Sequence, residues 1–187
     1  SWKKQTASKL LLAVHGNTQN AQTAREDWTP VLNGDASWQL ETIQSAEPDG
    51  FGTFRWSYDM ASYLPAAAAI GQLQAAGYET LVCGGFSAGC DMLLRAVTFS
   101  SARCDALVLQ SPWIPVLEEH AAEVVSALQK KSIALRLLCG AADEDCLPLA
   151  ETLYARAKDA GLDVTLTVQD ATRHQFPAKP YALNDIV

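Results

Sequence analysis

The sequence predicts an α/β protein with a doubly wound, mostly parallel six-stranded sheet and helices on both faces. The main observation is a regular alternation of short apolar runs with helical stretches. Strands are predicted near 9–14, 38–45, 79–84, 105–110, 133–139 and 162–168. The run Leu10 to Val14 is apolar throughout, which is typical of a parallel strand covered on both faces. Strands that alternate with helices favour crossover connections and therefore a parallel sheet.

The intervening segments have the signals of helices. They are predicted near 18–32, 60–76, 88–100, 115–130 and 147–160. Pro65 precedes a run of four alanines that is closed by Gly77, which is typical of a helix with proline in its first turn. Gly161 ends the last helix in a similar way. We expect residues 1–187 to form one domain, since this length buries a normal core.

Composition and charge disfavour several kinds of partner. The net charge is −7 with acids and bases interspersed, which disfavours nucleic acid and anionic membranes as partners. No apolar run approaches the roughly 20 residues that span a bilayer. Residues 1–9 contain no apolar core of a signal peptide, so we expect a cytoplasmic protein. Secretion stays open, because the sequence does not begin with methionine.

The cysteines do not indicate a metal site. There are five, an odd number, and none stands in a C-x-x-C pair. Cys83 and Cys139 fall in apolar strands and are expected to be buried thiols. Cys90 lies just after the serine-containing segment 85–89, and Cys146 lies in the loop 140–148, so either a disulfide or two reduced thiols is compatible with the sequence.

A serine flanked by glycines lies between a predicted strand and a predicted helix. Residues 85–89 read Gly-Phe-Ser-Ala-Gly, a G-x-S-x-G pattern that is informative only in this strand–turn–helix setting. Such a turn lifts the hydroxyl of Ser87 clear of the sheet at a helix N-terminus, where backbone N–H groups meet developing negative charge. The pattern predicts a nucleophile, and the alternative is a tight turn with an incidental serine.

Three further loops favour the nucleophile. The first predicted strand runs into the polar loop 15–20, the fifth into 140–148 and the sixth into 170–176. The last two loops contain Asp143 and His174, so the chain order is serine, acid, histidine. Each of these side chains follows the C-terminal end of a predicted strand, at the edge where open α/β sheets place their ligands.

On these segments the chain resembles the α/β-hydrolase family, especially its small lidless members of the carboxylesterase, phospholipase and dienelactone-hydrolase type. The matching stretches are HGNTQN at 15–20, GGFSAG at 84–89, GAADEDCLP at 140–148 and HQF at 174–176. The resemblance implies that Ser87 is the nucleophile, His174 the base and Asp143 the acid. Asp145, two residues on, stays a competitor for the acid. No metal and no cofactor is implied.

The resemblance also implies where the oxyanion is held. Its donors would be the backbone N–H groups of Ala88 and Asn17, with Thr18 as the alternative to Asn17. His15, just before the glycine of this loop, is expected to be structural rather than a base.

Four aromatic residues are candidates for a substrate pocket: Trp56, Trp113, Phe86 and Phe176. Ordinary core packing is the alternative for the two tryptophans. Few residues separate Gln110 from the helix near Pro115, so no lid is expected and the cleft should be open. The expected substrates are small or moderately amphiphilic carboxylic esters or thioesters. A peptidase or C–C bond hydrolase with the same three residues, or a non-catalytic binding module, stays open, as does the oligomeric state.

Overall fold

The computed structural model describes residues 6–187, so residues 1–5, at the start of the stretch examined for a signal peptide, lie outside the described part. The strands are β1 Lys9–Val14, β2 Trp38–Ile43, β3 Glu47–Gly50, β4 Thr53–Arg55, β5 Thr80–Phe86, β6 Ala106–Gln110, β7 Ala134–Gly140 and β8 Val164–Gln169. The α-helices are α1 Ala21–Trp28, α2 Leu64–Ala75, α3 Ala88–Phe99, α4 Leu117–Lys130 and α5 Leu147–Asp159. Short 3₁₀ turns occupy Thr29–Leu32 and Leu183–Asp185.

The main sheet contains the six predicted strands in the order β2-β1-β5-β6-β7-β8, and every neighbouring pair is parallel. This confirms the predicted fold class. The strand order changes direction between β1 and β5, which pair with Leu12 opposite Cys83. A ligand site in an open α/β sheet lies at the carboxyl ends of the two strands that flank this switch. The loops after β1 and β5 are therefore the expected walls of a site.

Two apolar clusters cover the sheet, one on each face. In β1, Leu10, Leu12 and Val14 pack with residues of α2, α3, α4 and α5. The alternate residues Leu11 and Ala13 pack with α1 and with the C-terminal segment around Leu183. This alternation explains why β1 is apolar throughout, since both of its faces are buried.

The strands β3 and β4 were not predicted. Residues 47–55 form an antiparallel hairpin of β3 and β4, where the sequence indicated only a loop. The hairpin lacks an alternating apolar pattern, and a distant segment fixes its position: the Thr18 N–H donates to Phe54 O at 2.9 Å, and the Phe54 N–H donates to Gln19 O at 2.8 Å. Such long-range pairing leaves no local signal in the sequence.

The helix predicted near 18–32 is shorter in the structure. It begins at Ala21, because the Asn20 side chain caps it by accepting the Thr23 N–H at 2.9 Å.

The connection between β6 and α4 spans only residues 111–116, as predicted, with no inserted helix. Across residues 6–187, no helix is long and apolar enough to cross a membrane.

Candidate active site

Three polar side chains meet at the carboxyl edge of the sheet. Ser87 follows β5, Asp143 follows β7 and His174 follows β8. Ser87 Oγ lies 2.8 Å from His174 Nε2, and His174 Nδ1 lies 2.7 Å from Asp143 Oδ2. The carboxylate can only accept, so Nδ1 carries a proton and Nε2 is left to accept the serine hydroxyl. The structure thus brings together the serine, histidine and acid that the sequence predicted.

The backbone of Ser87 has the strained conformation of a sharp strand-to-helix turn. Its φ of 53° lies in the left-handed region, which is rare for a residue with a side chain. Neighbouring backbone groups hold the turn: the Ser87 N–H donates to Gln110 O at 3.1 Å, and the Cys90 N–H donates to Ser87 O at 3.0 Å. A Cβ on Gly89 would lie 2.6 Å from His15 O, so this glycine lets α3 start close to β1.

The choice between the two acids follows from burial and geometry. Asp143 is only 4% exposed, and its second oxygen accepts the Cys146 N–H at 3.3 Å. Asp145 is exposed, and among the described residues its carboxylate forms no hydrogen bond with His174. Asp143 is therefore the carboxylate that is hydrogen-bonded to the imidazole.

Backbone contacts join the loop that contains Asp143 to the loop that contains His174. The Ala141 N–H donates to Gln169 O at 2.8 Å, and the Ala142 N–H donates to Thr172 O at 2.9 Å. Gly140 packs directly on the Thr172 and Arg173 carbonyls, where a Cβ would not fit. Main-chain contacts therefore hold together the two loops from which the acid and the imidazole project.

A buried amide pair supports the same edge of the sheet. Gln110 Nε2 donates to Gln169 Oε1 at 2.8 Å, and Gln169 Nε2 donates to Gln110 Oε1 at 3.0 Å. The pair joins the end of β6, which accepts the Ser87 N–H, to the end of β8, which leads into the histidine loop. Since both amides are buried, each needs the other as a partner.

The loop after β1 presents one of the two predicted backbone donors. The Thr18 N–H is already bound to Phe54 O, whereas among residues 6–187 the Asn17 N–H has no such partner. Asn17 itself is held by its side chain, which accepts the Trp56 N–H at 2.6 Å and donates to Tyr58 Oη at 3.2 Å. This arrangement favours Asn17 over Thr18 as the donor.

His15 is buried and structural. The Ser45 N–H donates to its Nε2 at 3.1 Å, and its Nδ1 donates to Gly16 O at 2.7 Å, so the ring is neutral. Burial lowers the pKa of His15 below its ordinary value of 6.5. Its ring stacks on Trp56 with centroids 5.0 Å apart. The histidine thus fixes the loop that contains Asn17 and has no free nitrogen to act as a base.

Beside Ser87 lies an open cavity of about 340 Å³. It is lined by Asn17, Tyr58, Ser87, Trp113, Asp143, Asp145, Cys146 and His174. A groove between α3 and α4 is larger, about 460 Å³, but contains neither the serine nor a histidine. The position of the hydroxyl, rather than volume, therefore identifies the candidate site.

Of the four aromatic pocket candidates, the structure brings only Trp113 to this cavity. Trp56 is 2% exposed, because it stacks on His15 and its Nε1 donates to His15 O at 2.8 Å. Phe86 stacks on Phe176 with centroids 5.5 Å apart. Phe86 also lies 5.1 Å from the imidazole of His174 and so packs beneath the histidine.

Sequence reasoning missed Tyr58 and Cys146 as cavity residues. Tyr58 precedes α2 in a segment with no regular pattern, so only its hydrogen bond with Asn17 reveals its position. Cys146 Sγ lies 3.5 Å from His174 Nδ1. Burial, followed by the Asp143 charge, raises the pKa of Cys146 well above its usual value, so the thiol is protonated.

All five cysteines are free and buried, so Cys90 and Cys146 do not form a disulfide. Within the described residues, one group could offer ligands to a metal ion: Asp143, Cys146 and His174, whose ligand atoms lie within 4.8 Å of one another. The acid and the imidazole already use those atoms in their hydrogen bond of 2.7 Å. Binding a metal would break the contact that orients the histidine.

Several solved structures with the same fold carry the names of ester hydrolases. A carboxylesterase from Mesorhizobium loti superposes with a TM-score of 0.68 at 19% identity, over 91% of this chain and 83% of that one. Acyl-protein thioesterase 2 from Zea mays gives a TM-score of 0.69 at 17% identity, over 96% and 91% of the two chains. An uncharacterized protein from Bacillus cereus gives a TM-score of 0.80 at 24% identity, over 95% of this chain.

The chain spans 57% of the Bacillus cereus chain, so that protein is considerably longer. The sequence itself matches no protein-family model and has no significant match among curated proteins. The similarity is therefore one of three-dimensional structure. The chain has the α/β-hydrolase fold and is similar in structure to esterases and to an acyl-protein thioesterase.

Proposed function

We propose that the protein is a serine hydrolase that cleaves carboxylic ester or thioester bonds through an acyl-enzyme intermediate. The observation that carries this proposal is the continuous hydrogen-bonded chain from Ser87 Oγ through His174 to Asp143. A serine hydroxyl is a poor nucleophile at neutral pH and needs a base within hydrogen-bond reach, which His174 Nε2 supplies. Similarity in fold to esterases and a thioesterase supports the same class of reaction.

In the proposed mechanism, Ser87 Oγ attacks the carbonyl carbon of the ester while His174 accepts the hydroxyl proton. The imidazolium then donates that proton to the departing alcohol or thiol, which leaves the acyl group on Ser87. His174 Nε2 then deprotonates a water molecule, which attacks the carbonyl carbon of the acyl group. This second step releases the carboxylic acid product and restores Ser87. Throughout the cycle Asp143 keeps the proton of His174 on Nδ1 and stabilises the imidazolium without becoming protonated.

The developing oxyanion would be held by the backbone N–H groups of Ala88 and Asn17. Ala88 is the first residue of α3, and the first N–H groups of a helix have no partner inside it. Loss of one such donor typically costs about 3–4 kcal/mol of transition-state stabilisation. Because both donors are main-chain groups, substitutions of these side chains should affect the rate less than substitution of Ser87 or His174.

The shape of the cavity favours small or moderately amphiphilic substrates. Its volume of about 340 Å³ is at the lower end of ordinary ligand pockets, and Trp113 is 38% exposed at its side. The connection at residues 111–116 is too short to fold over the cavity as a lid. We therefore expect activity on dissolved substrates without activation by a lipid surface.

The test is a panel of p-nitrophenyl esters of rising chain length, with a thioester and a dipeptide amide alongside. Short and medium esters should be hydrolysed, the amide should not, and Ser87→Ala should lower kcat at least about 10³-fold. Ser101→Ala is the matched control, since Ser101 is exposed just after α3. A Ser87→Ala protein with full activity would exclude the serine mechanism, and preference for the amide would indicate a peptidase.

A further inference from the structure

We propose that the site selects esters with a positively charged group a few bonds from the scissile carbonyl, and that Asp145 determines this preference. The inference rests on the proposed function, because it names the substrate class of the same site. It starts from the charges that line the cavity beside Ser87. Among its lining residues there is no lysine or arginine, and the carboxylates are those of Asp143 and Asp145.

The two carboxylates are in different situations. Asp143 is buried and hydrogen-bonded to His174, so its negative charge interacts with the imidazole. Asp145 is exposed, and in the described part of the chain its carboxylate has neither an ion pair nor a hydrogen bond. Asp145 therefore presents an uncompensated negative charge to whatever occupies the cavity.

The arginines near the cavity do not neutralise the negative charge of Asp145. Arg95 is close enough to lower the pKa of Tyr58, but its side chain is buried and forms an ion pair with Asp91 at 2.6 Å. Arg173 lines an adjoining cleft of about 440 Å³, where it is accompanied by Glu144 and Asp145, and does not line the serine cavity. The 187-residue chain has a net charge of −7, which adds to the attraction of a cation.

Two aromatic side chains share the cavity with Asp145. The backbone N–H of Trp113 donates to Ser87 O at 3.2 Å, and Trp113 lines the cavity beside the serine. Burial raises the pKa of Tyr58, so its hydroxyl stays neutral, and this hydroxyl accepts a hydrogen bond from Asn17 Nδ2. Aromatic rings attract ammonium groups, and a carboxylate beside them strengthens the attraction. A quaternary or primary ammonium thus has three favourable partners in this cavity.

The expected preference is moderate, because Asp145 is exposed and water screens its charge. At low ionic strength we expect kcat/KM for a cationic ester to exceed that of its neutral isostere about five- to tenfold. The preference should shrink as salt is added, since the screening length falls to about 10 Å at 0.1 M.

The experiment compares isosteres that differ only in charge. Acetylthiocholine is matched with 3,3-dimethylbutyl thioacetate, which has the same shape without the charge on its thiol side. The p-nitrophenyl esters of 4-trimethylammoniobutanoate and 5,5-dimethylhexanoate make the same comparison on the acyl side. The readout is the ratio of kcat/KM within each pair, for wild type, Asp145→Asn and Glu144→Gln, together with thermal unfolding of each protein.

At least one pair should give a ratio near the expected value in wild type, and Asp145→Asn should lower it to about one. Glu144→Gln is the matched control and should keep the wild-type ratio, because Glu144 does not line the serine cavity. Ratios near one in both wild-type pairs, or an unchanged ratio in Asp145→Asn, would overturn the inference while ester hydrolysis through Ser87 still stood. Hydrolysis that persists in Ser87→Ala would overturn the proposed function instead.

Discussion

A single methyl group added at Gly140 should disturb catalysis, although this glycine touches no substrate. A Cβ at this position would lie 2.6 Å from Arg173 O and closer still to Thr172 O, whereas ordinary contact begins at 3.4 Å. In Gly140→Ala the carbonyl of Arg173 must therefore move by about 0.8 Å, and His174 is the next residue. A misplacement of about 1 Å at a catalytic group can cost roughly 100-fold in rate.

Gly140→Ala should consequently lower kcat about 100-fold by lengthening the 2.8 Å contact between Ser87 Oγ and His174 Nε2. The assay is steady-state hydrolysis of p-nitrophenyl acetate, with circular dichroism and thermal unfolding to verify the fold. Gly71→Ala is the control, because its Cβ meets nothing within 4 Å in the middle of α2. It should keep full activity and gain about 0.5–1 kcal/mol of stability. A folded Gly140→Ala protein with wild-type kcat would refute the reasoning.

Three further predictions concern the acid, the buried histidine and the thiols. Asp143→Asn should lower kcat about 10⁴-fold by favouring the wrong imidazole tautomer. The kcat of Asp145→Asn on a neutral ester should stay within about tenfold of the wild-type value. The reverse order of the two effects would assign the role of the acid to Asp145. Because burial lowers the pKa of His15 below 6.5, the unfolded state binds the extra proton as pH falls. Stability should therefore decrease below about pH 6.5, by up to about 1.4 kcal/mol per pH unit. His15→Gln should have a smaller decrease in urea unfolding between pH 7.5 and 5.5, and an identical pH dependence would contradict this interpretation. Finally, Ellman's reagent should label the native protein slowly and all five thiols after unfolding, since every cysteine is buried and free; rapid labelling of the native protein would show an exposed thiol.

The sheet could be predicted from sequence because its signals are local. Buried parallel strands are apolar runs, and β1 with Leu10 to Val14 fully buried is the clearest example. The turn at Ser87 was also visible, because Gly89 must allow α3 to approach the end of β1. The hairpin at residues 47–55 was not predicted, since it lacks an alternating apolar pattern and its position is fixed by residues 18 and 19, which bond to the distant Phe54.

The walls of the cavity were harder to predict than the three polar side chains. Trp56 and Trp113 both follow loops near the active edge, so sequence alone could not distinguish them. Long-range contacts decide between them: Trp56 is buried by its stacking on His15, while the backbone of Trp113 is bound to Ser87. Tyr58 is positioned by Asn17, which also lies far away in the chain. Side-chain placement of this kind depends on tertiary contacts that no local pattern encodes.

The most direct measurement of the central claim is the site of covalent modification by a fluorophosphonate. The wild-type protein should gain one adduct, and peptide mapping by mass spectrometry should place it on Ser87. The Ser87→Ala protein should gain none, and His174→Ala should react far more slowly, because the hydroxyl then lacks its base. A wild-type protein that stays unmodified, or an adduct on any other residue, would contradict the account.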